Sequence, residues 1–283
     1  MKIGVTGATG QLGQIVVDKL KEKVGAANIV ALVRNPEKAV SLGVEAREFD
    51  YSKSENLTAS LKGLDSLLLI SGNEMGQRAA QHANVIKAAK EAGVKRIVYT
   101  SLLHANVSTL SLASEHLATE VALKASGVTY TILRNGWYIE NYVGAIQSAA
   151  SGHDVIGSAV DGRISAASRA DYAEAAVTVL TEAGHEGQIY ELAGDAAFTL
   201  TDLAAELSNQ TEKTIKYNNL PEAQYADILK SFGLPEELAL AIAGWDVSTS
   251  NGALFDDSHE LSKLIGRATT PMSAVVANIL ATK

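Results

Sequence analysis

The sequence predicts an α/β fold: a doubly wound parallel sheet followed by a smaller, mostly helical cap domain at the C-terminal end. Three features support this prediction. Short apolar runs rich in β-branched residues alternate with segments of helical periodicity, the runs lack polar alternation, and the pattern becomes mostly helical beyond Tyr190. Strands without polar alternation indicate a parallel sheet covered by helices on both faces, because neither face then meets water.

Six strand candidates lie in the first half of the chain, and amphipathic segments separate them. They are residues 2–6, 29–33, 46–49, 66–70, 96–100 and 129–133. Regular alternation of strand and helix is the pattern of βαβ units, in which the strands are parallel.

Helix starts are marked by a hydroxyl residue with an acid three positions later. The three pairs are Ser52 with Glu55, Ser168 with Asp171 and Thr199 with Asp202. At this spacing the two side chains can bond free N–H groups of the first turn. Helices are therefore predicted from these points to about residues 61, 180 and 207.

The domain boundary is predicted near residue 190. Residues 1–190 form the sheet domain and residues 191–283 form the cap, with part of the stretch 152–168 contributing to the cap. Short strand candidates at 189–192 and 214–217 stand among the helical segments. We expect the cap to close over the ligand edge of the sheet.

Composition excludes several classes of function. The chain has 24 Lys and Arg against 32 Asp and Glu, a net charge of -8, so it offers nucleic acids no general attraction. Cysteine is absent, which excludes disulfides, zinc–thiolate sites, iron–sulfur clusters and thiol nucleophiles. The first residues enter a strand-like run directly, and no apolar stretch approaches the roughly 18 residues of a membrane span. We therefore expect a soluble, cytoplasmic protein.

A glycine-rich loop directly follows the first predicted strand and opens the first helix. It has the spacing G-x-x-G-x-x-G and comprises Gly7, Ala8, Thr9, Gly10, Gln11, Leu12 and Gly13. Glycines permit a tight turn and close backbone approach, and a helix N-terminus offers free N–H groups and a positive dipole end to a pyrophosphate. These seven residues are predicted to bind a dinucleotide cofactor. The alternative is a tight βα turn without a ligand.

The end of the second predicted strand selects the dinucleotide. A site that prefers NAD has an acid there, about twenty residues after the loop, to bind the ribose 2′-hydroxyl. Here the strand ends V-R-N-P without an acid, and Arg34 can form a planar, charge-assisted pair with a 2′-phosphate. The predicted cofactor is therefore NADP(H). The alternative is that Arg34 is a solvated residue beside a proline turn.

Further ligand contacts are expected at the carboxyl ends of other strands, where open α/β sheets bind ligands. Ser71, Gly72 and Asn73 follow strand four. Asp50 follows strand three and either touches the adenine edge or caps the next helix. The nicotinamide side is expected after strand six, lined by Asn135, Gly136, Trp137, Tyr138, Ile139 and Glu140.

These motifs resemble the short-chain dehydrogenase/reductase superfamily in its atypical branch. The loop at 7–13, V-R-N-P at 33–36 and L-R-N-G-W-Y-I-E-N at 133–141 are similar to the NmrA-like group. Further segments resemble the bacterial type 2 NAD(P)H:quinone oxidoreductases along essentially the whole chain, with triphenylmethane reductase as a near relative. These segments are G-Q-R at 76–78, Y-T-S-L-L-H at 99–104, A-G-H-E-G at 183–187 and L-F-D-D-S at 254–258. The resemblance implies an oxidoreductase with a Rossmann-type NADP(H) domain and a quinone as its acceptor.

One departure from the superfamily concerns its catalytic Tyr-x-x-x-Lys pair, which should fall in the helix after strand five. Leu112 holds the tyrosine position and His116 holds the lysine position. Leucine cannot donate a proton, so alcohol/ketone chemistry is not expected, and a sugar-nucleotide epimerase is disfavoured because it needs the tyrosine base. A quinone takes hydride at an activated ring and becomes a weaker base than an alkoxide, so a strong protein acid is less necessary.

Four residues are candidates for the chemistry: Tyr138, Asn141, His104 and His116. Tyr138, together with Trp137, offers an aromatic face to a planar acceptor or packs in the core. Asn141 and His104 follow strands six and five and are candidates to hydrogen-bond a quinone oxygen. His116 orients the nicotinamide ribose, relays a proton, or is a helix-face histidine with a local partner.

Two functions remain open from the sequence. The first is an NADPH-dependent reductase of quinones, or of another planar acceptor such as a triphenylmethane dye, that transfers hydride directly. No second dinucleotide motif indicates a flavin, and the histidines lack metal-ligand spacing. The second is an NmrA-like redox sensor that binds NADP(H) without turnover. The resemblance also implies a homodimer formed through the helices that flank strands four and five.

Overall fold

The computed structural model describes residues 1–282, which fall into two units. The first unit comprises Met1–Asn106, Leu112–Asn135 and Arg169–Leu192. The second comprises Val107–Ser111, Gly136–Ser168 and the chain from Ala193 onward. Each unit therefore draws on segments that are separated in sequence.

Strands and helices alternate through the first unit, and helices dominate the second. Over residues 1–282 the strands are β1 (Ile3–Thr6), β2 (Ile29–Val33), β3 (Glu45–Glu48), β4 (Ser66–Leu69), β5 (Arg96–Leu102), β6 (Thr129–Asn135), β7 (Val155–Gly157), β8 (Ile189–Leu192) and β9 (Tyr217–Asn219). The α-helices are α1 (Gln11–Val24), α2 (Ser54–Leu61), α3 (Arg78–Glu91), α4 (Ala113–Ala125), α5 (Val143–Ala150), α6 (Arg169–Thr181), α7 (Leu200–Thr211), α8 (Glu222–Ser231), α9 (Glu236–Ser250), α10 (Glu260–Ile265) and α11 (Met272–Ala281). None of these helices is long and apolar enough to cross a membrane.

The first unit contains a seven-stranded sheet in the order β3-β2-β1-β4-β5-β6-β8, and every pair is parallel. Helices α1 and α6 pack together, while α2, α3 and α4 form a second packed row. The core under that row joins Leu57, Val85 and Leu123 to the strand residues Leu67 and Ile97. The doubly wound parallel sheet predicted from the sequence is confirmed.

One strand prediction is displaced. The stretch 214–217 was expected to be extended, but β9 begins at Tyr217 and pairs with β7. Ile215 instead exchanges both backbone hydrogen bonds with the Ser208 hydroxyl of α7, at 3.0 and 2.9 Å. Contact with the helix therefore replaces strand pairing at Ile215, and pairing with β7 begins at the Lys216 carbonyl, which accepts the Val155 N–H at 2.9 Å.

The predicted helix caps have different outcomes. Thr199 and Asp202 form the complete capping box of α7, so that prediction is confirmed. The cap at Ser52 is wrong, because α2 starts at Ser54 and Lys53 occupies the N-cap position. The Ser52 hydroxyl oxygen instead accepts a hydrogen bond from the Gln81 amide at 3.0 Å.

A buried ion pair joins α4 to the sheet. Glu120 is completely buried and accepts two hydrogen bonds from the Arg134 guanidinium of β6, at 2.9 and 2.8 Å, and one from Ser101. These donors and the positive charge hold the pKa of Glu120 below its usual value, although burial alone raises it. Arg134 also reaches Glu191 of β8 at 2.7 Å, so one guanidinium connects a helix and two strands.

Two histidines are buried between the sheet and the α3–α4 layer. His82 accepts the Gly72 N–H at Nε2 (3.0 Å), so its proton lies on Nδ1, which donates to Thr119 at 3.0 Å. His116 shares a 2.8 Å hydrogen bond with the hydroxyl of the buried Tyr99. Burial, with a smaller contribution from the nearby Arg78 charge, lowers the pKa of each histidine to about 3. Both imidazoles are therefore neutral at physiological pH.

The substitution Glu120→Gln should lower the free energy of unfolding by about 3 kcal/mol, because it leaves the Arg134 charge buried with only part of its compensation. Urea denaturation measures this loss. The control Lys95→Met breaks the ion pair between Lys95 and Asp65. The Lys95 side chain is 77% exposed, so this change should lower the free energy of unfolding by less than about 1 kcal/mol. Equal losses in the two variants would contradict the importance of the buried pair.

Stability should fall as the pH drops from about 7 to about 5. A histidine whose pKa is 6.5 in the unfolded chain and about 3 in the folded protein binds its proton only on unfolding within this interval. At pH 5 each buried histidine should therefore reduce the free energy of unfolding by about 2 kcal/mol. His116→Phe should remove about half of this slope in urea titrations repeated across the pH range. An unchanged slope in the variant would contradict the assignment.

Candidate cofactor and acceptor sites

The turn between β1 and α1 is built around close backbone contacts. Gly7 has a positive φ of 58°, and its carbonyl oxygen accepts the Gly10 N–H at 2.8 Å. A Cβ on Gly13 would overlap that same carbonyl and the Ala8 backbone. Glycine at these positions therefore lets the helix start directly against the end of the strand.

Among the described residues, no side chain caps the N-terminus of helix α1. Gly10 occupies the N-cap position, no side chain caps it, and the first turn contains no acid. The orphan N–H groups and the helix dipole thus remain available to an anion. A pyrophosphate fits this place, because it accepts several N–H bonds and needs the backbone clearance that the glycines provide.

A cavity of about 610 Å³ lies beside this turn in the first unit. Its volume is in the range of small-molecule and cofactor sites. Its walls come from the carboxyl ends of the central strands and the loops that follow them. The polar and glycine residues that line it are Gly7, Thr9, Gly10, Arg34, Asn35, Lys38, Asp50, Tyr51, Ser71, Gly72, Asn73, Glu74 and Gln81.

Two cations line this cavity at the end of β2. Arg34 is 73% exposed in its side chain, and its guanidinium lies 3.5 Å from a Glu74 carboxylate oxygen. Such an exposed pair contributes little energy, so the guanidinium is available to a stronger anion. Lys38 adds a second positive charge that the sequence interpretation did not include. No acid follows β2 directly, in keeping with a 2′-phosphate rather than a 2′-hydroxyl.

In the loop after β4, side chains bind both backbone polar groups of Gly72. The Gly72 N–H donates to His82, and the Gly72 carbonyl accepts from Arg78 Nε at 2.8 Å. Arg78 is itself buried and paired with Glu115 at 2.9 Å. Ser71 N–H is bound by Thr100. Side chains of α3 and β5 thus fix the backbone that lines the cavity.

The other predicted loop residues have mixed positions. Ala8 and Leu12 are buried, Gln11 is exposed, and Gly13 packs against the turn, so these four shape the loop without lining the cavity. Asp50 lines the cavity and accepts the Ser52 N–H at 3.0 Å. It does not cap α2, whose N-cap residue is Lys53.

Both candidate catalytic histidines, His104 and His116, lie in the first unit. The backbone N–H of His104 donates to Glu191 at 2.8 Å, and its ring Nδ1 lies 3.6 Å from the same carboxylate. His116 is 5% exposed and bonded to Tyr99. His116 therefore has a local hydrogen-bond partner, as expected of a helix-face histidine with a structural role. Its ring is neutral, whereas the lysine of the superfamily carries a positive charge.

The predicted nicotinamide-side residues divide at the end of β6. Asn135 is the last residue of that strand and is buried. Gly136, Trp137, Tyr138, Ile139 and Glu140 belong to the second unit, where the backbone of Tyr138 forms a parallel bridge with Ala167. Ile139 is almost completely buried and packs as a core residue.

The second unit has its own cavity, of about 900 Å³. Trp137 and Asn141 line it, as the sequence analysis expects of residues near an acceptor. Trp137 packs edge to face against Trp245, with ring centroids 5.8 Å apart. Further aromatic and apolar lining residues are Tyr142, Val155, Ile156, Leu200, Tyr225, Leu229, Phe232, Leu234, Ile242 and Leu254. The cavity is suited to a flat, largely apolar molecule.

The half-buried carboxyl group of Asp246 is among the groups that line this largely apolar cavity. Asp246 follows Trp245 on α9, and its Oδ2 accepts the Ser158 N–H at 2.8 Å. Burial raises the pKa of Asp246 to about 6, although the Ser158 hydrogen bond acts in the opposite direction. Sequence reasoning did not select it. The available signal was a lone acid in the otherwise uncharged run from Leu238 to Val247.

Comparison with known proteins agrees with the geometry of the first cavity. Quinone oxidoreductase 2 of Escherichia coli is 55% identical over 280 residues, which cover 98% of each protein. The structure of an NADPH-dependent quinone oxidoreductase from Escherichia coli in complex with NADPH superposes with a TM-score of 0.94 at 56% identity, covering 98% of this chain and 99% of that one. Citrobacter sp. triphenylmethane reductase in complex with NADP(H) superposes with a TM-score of 0.95 at 38% identity, covering 98% of this chain and all of the other.

A family model described as NAD(P)H-binding matches residues 7–183. This range begins at the first glycine of the phosphate loop and includes β2 and β4, whose ends line the first cavity. The free helix N-terminus, the glycine clearances and the two cations fit a pyrophosphate dinucleotide that carries a 2′-phosphate. The chain therefore belongs to the NAD(P)H-binding family.

Proposed function

We propose that this chain catalyses the NADPH-dependent two-electron reduction of quinones by direct hydride transfer. The observation that carries the proposal is the 55% identity to Escherichia coli quinone oxidoreductase 2 along almost the whole of both proteins. NADPH, when bound, supplies the hydride. The task of the protein is then to hold cofactor and acceptor and to exclude competing reactions.

The first cavity supplies the cofactor contacts of this proposal. The N–H groups at the start of α1 receive the pyrophosphate, and Arg34 and Lys38 receive the 2′-phosphate. Ser71, Gly72 and Asn73 also line this cavity, and His82 and Arg78 hold the backbone of Gly72. The nicotinamide-side assignment of Asn135 through Glu140 stays a prediction.

The cavity of the second unit supports an aromatic acceptor. Trp137 and Trp245 provide rigid aromatic surface, and quinones are flat rings with two polar oxygens. Asn141 is among the lining residues and is proposed to hydrogen-bond one of those oxygens. Tyr138 and His104 remain candidates for the same task, and His116 remains a candidate for ribose orientation.

The departure at Leu112 and His116 favours quinone chemistry over ketone chemistry. Leucine has no proton to give, and the neutral, buried His116 carries no charge. A hydroquinone anion is a much weaker base than an alkoxide, so rate enhancement rests mainly on proximity, orientation and hydrogen bonds to the developing oxyanion.

A triarylmethane dye is a second candidate acceptor. The observation that favours it is the 38% identity and the TM-score of 0.95 with the Citrobacter reductase. A cationic triarylmethane dye accepts hydride at its central carbon and becomes neutral without taking up a proton. Two further expectations stay proposals: a cytoplasmic location, which rests on the sequence, and a homodimer, which rests on the resemblance to related folds.

The proposed activity should appear as loss of NADPH absorbance that depends on an added acceptor. A panel of simple benzoquinones and naphthoquinones, with a triarylmethane dye beside them, tests both candidate acceptors. We expect turnover with quinones and no NADPH loss without an acceptor. Tight NADPH binding with no oxidation by any acceptor would favour the redox-sensor alternative.

Replacing Arg34 by alanine should weaken NADPH binding roughly 10- to 100-fold, because a charge-assisted pair contributes about 1.5–3 kcal/mol. NADH affinity should change by less than about twofold, since NADH has no 2′-phosphate. Fluorescence titration measures both. Lys87→Ala removes an exposed charge from α3 as the control and should affect neither. Equal weakening of NADPH and NADH in the Arg34 variant would contradict the assignment.

A further inference from the structure

We propose that the Asp246 carboxyl group donates the proton that converts the reduced quinone into hydroquinone within the cavity of the second unit. This inference rests on the proposed function and assigns one step of it. Asp246 has no counterpart among the residues that the sequence suggested for catalysis.

The surroundings of Asp246 match those of a proton donor rather than those of an ion-pair partner. Oδ2 accepts the Ser158 N–H, and among residues 1–282 no donor bonds Oδ1 and no lysine, arginine or histidine pairs with the carboxyl group. The carboxyl group lines the cavity beside Trp137 and Trp245. One oxygen is thus anchored and the other is available to a bound molecule.

Gly157 makes this anchoring possible. A Cβ at this position would lie 2.6 Å from Asp246 Oδ2 and 2.9 Å from Leu200, closer than real side chains approach. Glycine therefore lets the end of β7 approach α9 until the Ser158 amide reaches the carboxyl group. The Ser158 hydrogen bond then orients Asp246 on the cavity wall.

The three tyrosines around Asp246 are poorer proton donors, and Glu222 and His153 are the other titratable groups near it. Three tyrosines interact electrostatically with Asp246: Tyr142, Tyr225 of α8 and Tyr217 of β9. Burial raises the pKa of all three phenols, that of Tyr217 to about 12. Their hydroxyl groups hold their protons more strongly than a free phenol does. Glu222 of α8 approaches Gly244 on the same helix as Asp246. His153 precedes β7 and lines the cavity.

A second carboxyl group in the cavity has the opposite environment. The Lys216 N–H and the Asn218 amide donate to Asp154, at 2.9 and 3.0 Å, and these bonds lower its pKa. Asp154 is therefore held ionised, whereas burial in an apolar wall favours the protonated form of Asp246. Two carboxyl groups with separated pKa values in one cavity are a recurring arrangement for acid and base roles.

The proposed step balances in atoms and electrons. Hydride brings one hydrogen and two electrons to the quinone, which becomes the hydroquinone anion. The O–H bond of the Asp246 carboxyl group breaks, an O–H bond forms on the quinone oxygen, and the carboxylate regains a proton from water. A phenolic anion has a conjugate acid of pKa about 10, so transfer from a carboxyl group of pKa about 6 is favourable by about 10⁴ in equilibrium constant.

The test is the pH profile of kcat for quinone reduction by the wild-type protein and by Asp246→Asn. The wild-type rate should fall as the pH rises through the pKa of the donor, because the acid form is lost. The variant should have a flat profile and, at about pH 5, a rate lower by about tenfold or more. The solvent deuterium isotope effect on kcat should be present in the wild type and absent in the variant.

Two matched variants separate the donor role from a structural one. Asp227→Asn makes the same substitution on α8, where the side chain is 71% exposed, and should retain the wild-type profile. Asp246→Glu keeps a carboxyl group, so its kcat should again fall as the pH rises, unlike that of Asp246→Asn. Infrared difference spectra of wild type minus Asp246→Asn, without cofactor or acceptor, should show a protonated carboxyl band at about pH 5 that disappears by about pH 8.

The outcomes distinguish the two hypotheses. A pH profile and an isotope effect that are unchanged in a folded Asp246→Asn protein would overturn the donor role and leave the quinone reductase intact. An ionised Asp246 at pH 5 in the infrared spectra would also overturn it. Absence of quinone turnover in the wild type would overturn the proposed function itself, together with this step, before any variant is compared.

Discussion

The parallel direction of all seven strands is the constraint on which the cofactor site depends. Because every strand runs the same way, the loops after β1, β2, β3 and β4 all lie at one edge, and residues from each of them line the first cavity. The contact between Gly7 and Gly13 then brings the start of α1 to the same edge. A side chain at Gly13 would separate the helix from the strand and remove the anion site.

Most polar groups buried in the first unit serve the framework. Glu120, Arg134 and Glu191 tie α4, β6 and β8 together. His82 and Arg78 hold the backbone N–H and C=O of Gly72. Such groups cost free energy when buried, and their mutual hydrogen bonds offset that cost. The two histidines are neutral because burial disfavours their charged forms. This part of the molecule is therefore built for rigid placement of a ligand.

The cavity of the second unit has a largely apolar and aromatic lining with a carboxyl group, Asp246, within it. Trp137, Trp245 and the tyrosines supply aromatic walls, and Asp246 is a carboxyl group whose pKa lies near neutrality. A carboxyl group in such a wall keeps its proton to a higher pH than a solvated carboxyl group does, because the apolar surroundings disfavour its anion. If NADPH carries the redox chemistry, one well-placed proton donor supplements it in this cavity.

The sequence alone was enough to predict the parallel sheet, the glycine loop, an NADP(H) cofactor and the capping box at Thr199, because these depend on local periodicity, spacing and side-chain chemistry; the contact of Arg34 with the 2′-phosphate stays a prediction. Its resemblance to bacterial quinone oxidoreductases agrees with the Escherichia coli relative. The folded structure was needed to show that Ser52 turns toward Gln81, that His116 bonds Tyr99, and that Lys38 and Asp246 line cavities. The reason is that burial and partners are set by residues distant in sequence: the Ser158 amide that anchors Asp246 lies 88 positions away along the chain.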